Sequence, residues 1–156
     1  MKQLILVILM AAAFITTLSA QTDKGTILLG GSMAYTTSDG NGSFVASPNV
    51  GYFVIDNGVV IGKLTTIIQE GSTSWAVGPT VRLYFLESNF GSMLGQIGLN
   101  VGGGTDSKTS IGWEIGGGYA IFLNESIAIE GLANYTRTGD KGIFTIGIGF
   151  QIHYSR

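Results

Sequence analysis

The end of the chain alternates without a break. Phe144, Ile146, Ile148, Phe150, Ile152 and Tyr154 fall on one side of an extended backbone, and Thr145, Gly147, Gly149, Gln151 and His153 fall on the other. A period of two sustained this far is the mark of a β-strand, where successive side chains point to opposite faces. Two further segments repeat the plan. Trp75, Val77, Pro79, Val81, Leu83 and Phe85 alternate with Ala76, Gly78, Thr80, Arg82 and Tyr84. Ile111, Trp113, Ile115, Tyr119 and Ile121 lie opposite Gly112, Glu114, Gly116, Gly118 and Ala120.

Clusters of turn-forming residues separate the alternating runs: Ser38–Gly42, Asp56–Gly58, Gly71–Thr73, Gly103–Ser107, Asn124–Ser126 and Thr138–Gly142, with a vaguer break around Glu87–Asn89. Asn41-Gly42-Ser43, which has the form of a glycosylation sequon, is read as part of a turn. This punctuation predicts eight strands, at 25–36, 43–54, 59–69, 74–85, 92–102, 109–122, 127–136 and 143–154. Strands of about ten residues match a tilted transmembrane strand. An even count returns both ends of the chain to one side, and eight is the smallest common transmembrane barrel.

The first twenty residues differ. Lys2 precedes an apolar run from Leu4 to Ile15, followed by small and polar residues up to Ala20. Such a run is too short for a membrane-spanning helix and fits a secretory signal peptide cleaved before Gln21. Residues 21–156 would then form one barrel domain. With no cysteine in the chain, disulfides, thiolate metal sites, thiol catalysis and lipoprotein anchoring are excluded.

Alternation does not by itself separate a soluble barrel from a membrane one. A soluble lipocalin-like lipid-binding barrel, one alternative, turns its apolar face inward and a charged face to water. Here only 12% of residues are charged, and the polar faces consist mainly of Gly, Ala, Ser and Thr. Small residues suit the cramped interior of eight strands, which leaves the large apolar residues outside, facing lipid. With odd strands running upward from the periplasm, Tyr35, Phe44, Trp75, Trp113, Tyr135 and Phe144 fall near upper strand ends. Tyr52, Phe85, Tyr119 and Tyr154 fall near lower ends, so the ten would form two interfacial aromatic girdles. Pro48 and Pro79 lie inside predicted strands and lead us to expect a bulge or widened pairing near each.

Three segments carry a family resemblance. Pro48–Asn57 resembles the second strand and first periplasmic turn, and Gly78–Phe85 the fourth strand, of the small porin-like outer-membrane β-barrels of Bacteroidetes, similar in form to OmpX and the OmpA barrel. Gly149, Ile152 and Tyr154 resemble the C-terminal assembly signal of such barrels, although Ser155 and Arg156 follow the last aromatic. The resemblance implies an eight-stranded, all-β, up-and-down transmembrane barrel in a bacterial outer membrane. It also implies contact with outer-membrane lipid and recognition of the last strand by the barrel-assembly machinery.

Four charged residues take inward positions: Lys63, Arg82, Glu114 and Glu130. Counting from lower strand ends sets Lys63, Arg82 and Glu130 at similar depth, with Glu114 higher. An unpaired buried charge is costly, so the four are expected to pair as a lumen plug, with Thr80, Tyr84, Asn134 and Gln151 as neighbours. His153, the only histidine, is expected at the periplasmic rim as an interfacial polar residue. Nothing in the sequence completes a hydrolytic triad, a metal motif or a phosphate loop. The expected protein is non-enzymatic and free of cofactor or metal, structural or at most a narrow pore with a mostly filled lumen. It is expected to be monomeric, and its charge of −2 without a basic run argues against nucleic acid. An outer-membrane lipid-modifying enzyme is the other alternative. Outer loops of about five to seven residues are expected to leave little adhesive surface.

Overall fold

The structure, a computed structural model, describes residues 22–38, 41–105 and 107–155. The expected signal peptide lies outside the described residues. Eight strands close a barrel in sequence order: β1 (Ile27–Ser38), β2 (Asn41–Ile55), β3 (Gly58–Gln69), β4 (Ser72–Ser88), β5 (Gly91–Gly104), β6 (Ser107–Phe122), β7 (Ile127–Thr138) and β8 (Lys141–Tyr154). Every neighbouring pair is antiparallel, and β1 closes on β8. We call the end that carries Ile27 and Tyr154 the lower end.

The strands run past most of the expected boundaries, so the upper connections are tighter than the sequence suggests. Residues 39–40, 70–71, 105–106 and 139–140 are all that separate the paired strands above. Asn41–Ser43 pairs within β2 instead of forming a turn. Glycine and hydroxyl-bearing residues that look like loop formers keep hydrogen-bonding across the ladder, because pairing continues above the point where alternation fades. Gly71 and Gly139 take positive φ of 80° and 60° in two of these connections, a conformation glycine adopts without a Cβ clash. Below, Asn57 does the same at φ 62° in the Asp56-Asn57 turn.

The prolines do not bulge the sheet. Beside Pro48, the β2–β3 pairs lapse between Ala46↔Thr66 and Asn49↔Lys63 and resume in the same register. Beside Pro79, the β4–β5 pairs lapse between Val77↔Val101 and Thr80↔Gly98, again without a shift. Each proline thus interrupts the pairing on one side, where it has no N–H to donate. The register shifts lie elsewhere, at Phe53/Ile55, Phe85/Glu87 and Gly102/Gly104.

The ladders are unequal. β1 pairs with β2 from Ile27↔Tyr52 to Ser38↔Asn41, but with β8 only from Ile27↔Tyr154 to Ala34↔Gly147. Below, residues Thr22–Thr26 join the β2–β3 hairpin. Gly25 N–H donates to the Phe53 carbonyl at 2.9 Å, Asn57 N–H to the Thr22 carbonyl at 2.7 Å, and Thr22 Oγ1 to Asn57 Oδ1.

Large apolar side chains cover the outside. Ile146 and Ile148 are 66% and 68% exposed, and Met33, Val50, Leu64, Ile97 and Ile115 are exposed with them. Between the rows of aromatic residues, no outward strand position among the described residues carries a charge; Arg137 lies one outward place above Tyr135.

Candidate functional site: a lumen in two halves

Inward alternation brings all four lumen charges inside, and they form two separate ion pairs. The lower pair is Arg82 on β4 with Glu130 on β7. Arg82 Nη1 donates to both carboxylate oxygens at 2.8 Å, and the side chains are 3% and 0% exposed. Tyr84 OH donates to Glu130 Oε1 at 3.0 Å, and Gln151 Nε2 to Oε2 at 3.2 Å. Arg82 Nε donates to Gln96 Oε1 at 2.9 Å, and Gln96 Nε2 passes the chain on to Asn134 Oδ1 at 2.8 Å. A buried ion pair contributes little net stability, but the contacts that Tyr84, Gln151 and Gln96 add to this one fix its geometry.

The upper pair is Lys63 on β3 with Glu114 on β6. The Lys63 ammonium touches both Glu114 oxygens, and Thr80 Oγ1 donates to Oε1 at 2.9 Å. Lys63 therefore does not share the depth of Arg82. The Cα partner of Lys63 on β4 is Gly78, and that of Arg82 on β3 is Val59. Barrel strands are tilted and staggered, so equal counts from the turns do not give equal heights. Close approach explains two glycines. A Cβ at Gly98 would lie 2.5 Å from Thr80 Oγ1 and 3.0 Å from Glu114 Cγ; one at Gly149 would lie 3.3 Å from Glu130 Oε2.

At the level of Arg82 and below it the lumen is filled with large apolar groups, where the alternation leads to an expectation of small ones. Leu28, Phe53, Val59, Ile61, Tyr84, Leu94, Ala120 and Leu132 form one buried cluster, with Phe122 packed against it. His153 belongs to this layer rather than to the interface. It is 2% exposed, and its ring lies 5.8 Å from that of Phe53, 5.7 Å from Phe122 and 6.4 Å from Tyr84. Its place in β8 decides this: His153 shares inward parity with Gln151, while Ile152 and Tyr154 point out.

Above Arg82 many of the inward residues are small or hydroxyl-bearing, and a cavity of about 980 Å³ remains. Its floor includes Arg82, Gln96 and Leu132, and it reaches the turn residues Gly139 and Asp140. Gln96, which links the lower ion pair to this floor, escapes a reading that searches for charge. Its signal is inward parity with Leu94 and Asn100 on β5.

The ten aromatic residues of the expected girdles all point outward. Tyr52 and Tyr154 flank Ile27 on one rung, and Phe85 and Tyr119 flank Met93 on another, both at the lower end. At the upper end Tyr35 partners Phe44, Tyr135 partners Phe144, and the Trp113 and Tyr135 rings lie 5.6 Å apart. Trp75 completes that row, beside Gly103. Of the three assembly-signal residues, Gly149 faces the lumen, whereas Ile152 and Tyr154 face out. No group of three acidic or histidine side chains among the described residues could hold a metal ion.

No protein-family description and no curated protein matches this sequence. Among solved structures, the barrel is similar to the N-terminal β-barrel domain of Pseudomonas aeruginosa OprF. The TM-score is 0.69 at 14% identity, over 85% of this chain and 98% of that one. It is similar to Neisserial surface protein A, with a TM-score of 0.66 at 11% identity over 83% and 96%. Ail, the attachment invasion locus protein of Yersinia pestis, gives 0.57 at 16% identity over 84% and 99%. At these identities the likeness is one of fold: the chain has the eight-stranded antiparallel barrel of small outer-membrane proteins.

Proposed function

We propose that this chain is a bacterial outer-membrane barrel closed to through-flow, monomeric, with a structural rather than catalytic or conducting role. The observation that carries the reading is the closed lower lumen, where the Arg82–Glu130 network lies against the Phe53–Tyr84–Phe122–His153 layer. Residence in a membrane is supported by the uncharged apolar outer face. The ten steps from Phe144 to Tyr154 span about 33 Å along the strand, or about 25 Å along the axis at a tilt near 40°, the height of an outer-membrane apolar band. The aromatic rows at its two edges suit the headgroup levels. The Bacteroidetes porin-like assignment rests on the Pro48–Asn57 and Gly78–Phe85 segments. Export would use residues 1–20, and assembly would use Gly149, Ile152 and Tyr154.

Two measurements test this. Fractionation is expected to place the protein in the outer membrane as a band whose gel mobility changes on heating; a soluble periplasmic protein would favour a lipid-binding barrel. In planar bilayers the refolded protein is expected to be silent. Arg82→Ala alone stays closed, because the ring layer remains, and Arg82→Ala with Phe53→Ala produces steps of conductance. Steady conductance from the unaltered protein would overturn the closed-lumen reading.

A further inference from the structure

The lower aromatic row is not the lower limit of the apolar surface. Past Tyr154 the chain continues with Ser155, and Asp23, Lys24 and Gly25 stand close before Ile27. On the β2–β6 side the apolar surface goes on. Beyond Tyr52 come Val54 and Ile55, beyond Phe85 come Leu86 and Phe90, and beyond Tyr119 come Ile121 and Leu123, all of them exposed. Leu86 and Phe90, at 70% and 64%, are among the most exposed large apolar side chains of the described residues.

Two register shifts put these residues there. Along β4 the shift falls between Phe85↔Met93 and Glu87↔Ser92, which makes Leu86 the extra residue. Without it, Leu86 would follow Tyr84 into the lumen and Glu87 would follow Phe85 outward. With it, Glu87 pairs with the buried Ser92, and the leucine stands outside. Leu86 holds φ 52° there, in the left-handed region where such a bulge normally carries glycine. Backbone strain and an exposed leucine are two separate costs in water, and lipid removes the second. Ser88 Oγ shares a hydrogen bond with the Tyr119 hydroxyl at 2.7 Å and donates to the Gly91 carbonyl at 3.1 Å, which ties the turn carrying Phe90 to the aromatic row. Along β2 the shift falls between Phe53 and Ile55, and Val54 and Ile55 both stand outside. Ile55 lies across Gly58 towards β4: a Cβ at Gly58 would come 2.5 Å from Ile55 Cγ1 and 3.3 Å from Leu83 Cδ2. The patch is thus continuous, through Leu83 and Phe85, with the apolar band above it.

We propose that Val54, Ile55, Leu86, Phe90 and Leu123 form a one-sided lip that enters the acyl-chain boundary of the lipid leaflet around the lower end. The barrel is then seated deeper along β2–β6 than along β7, β8 and β1. The proposal rests on membrane residence. Lipid is the occupant this surface favours, because the lip carries on the band above it with no charged outward position between them. A protein footprint would be set off from that band by a polar rim.

The chain has no cysteine, so a nitroxide label can be attached at one chosen place at a time. Leu86→Cys, Phe90→Cys, Ile148→Cys and Ser155→Cys are each labelled and refolded into lipid vesicles, and gel heat-modifiability establishes that each variant folds. All four positions are exposed. Collisions of the label with oxygen, which concentrates in lipid, are compared with collisions with a water-soluble nickel chelate. Labels at 86 and 90 are expected to favour oxygen, as the label at 148 does, with an oxygen-to-nickel ratio several-fold above that at 155. Nickel-dominated collisions at 86 and 90, with oxygen dominant at 148, would overturn the lip and leave membrane residence standing. Nickel dominance at 148 as well would overturn both. An oxygen-dominated label at 155 would show an even lower edge and overturn the one-sided seating. Spin–spin broadening at 86 and 90 that grows with the protein-to-lipid ratio would assign the patch to a second copy of the chain, against the proposal.

Discussion

The two halves of the lumen are built by the same eight strands, yet they have opposite interiors. The lower half is apolar, with Leu28, Phe53, Val59, Ile61 and Leu94 packed around and beneath the buried Arg82–Glu130 pair. The upper half is polar and roomy, with the Lys63–Glu114 pair at the edge of a cavity. The outer face is the same along both, apolar and uncharged between the aromatic rows. Outer and inner faces are therefore specified independently: lipid constrains the outward set, and the inward set is free to change from a plug to a pocket partway along the axis.

Substitutions can break this comparison, and the largest effect belongs to the lower half. Glu130→Ala leaves the Arg82 guanidinium buried without its partner and is expected to cost about 3–5 kcal/mol, read from urea unfolding in lipid vesicles. Replacing both residues by apolar ones of similar volume is expected to restore most of that loss; failure to restore it would mean the pair does more than neutralise itself. An intermediate effect is expected on the shared outer face. Ile148→Arg, near the middle of the apolar band, is expected to cost about 2–4 kcal/mol in vesicles and far less in detergent micelles, where the band can adapt. The smallest belongs to the upper half. Lys63→Ala leaves Glu114 beside a cavity that water can enter, so a cost of about 1–2 kcal/mol is expected by the same unfolding assay. A loss as large as that of Glu130→Ala would show the upper lumen to be as sheltered from water as the lower.

The strand count and the outward set were legible because alternation is strict wherever small or polar residues face in. The apolar layer that completes the plug was hidden for the complementary reason. Ile27-Leu28-Leu29, Phe53-Val54-Ile55, Val59-Val60-Ile61 and Ile121-Phe122-Leu123 are unbroken apolar runs at lower strand ends. There both faces are apolar, and the period of two disappears. His153 was misplaced by its nearness to the chain end, although its parity with Gln151 already pointed it inward. Identity as charged lumen residues was readable for Lys63, Arg82, Glu114 and Glu130; who pairs with whom was not, since the stagger between strands sets that and no residue encodes it alone. Gln96 went unseen because an amide carries no charge to flag it.

The unequal ladders of β1 bear on how the cylinder comes apart. A sheet rolled onto itself is as durable as its shortest clasp, and here the clasp between first and last strands stops at Ala34 and Gly147 while every other line of attachment continues higher. Under strain, the wall should part along that line from the top downward, beside the open half of the interior, and the plugged end should be the last to let go.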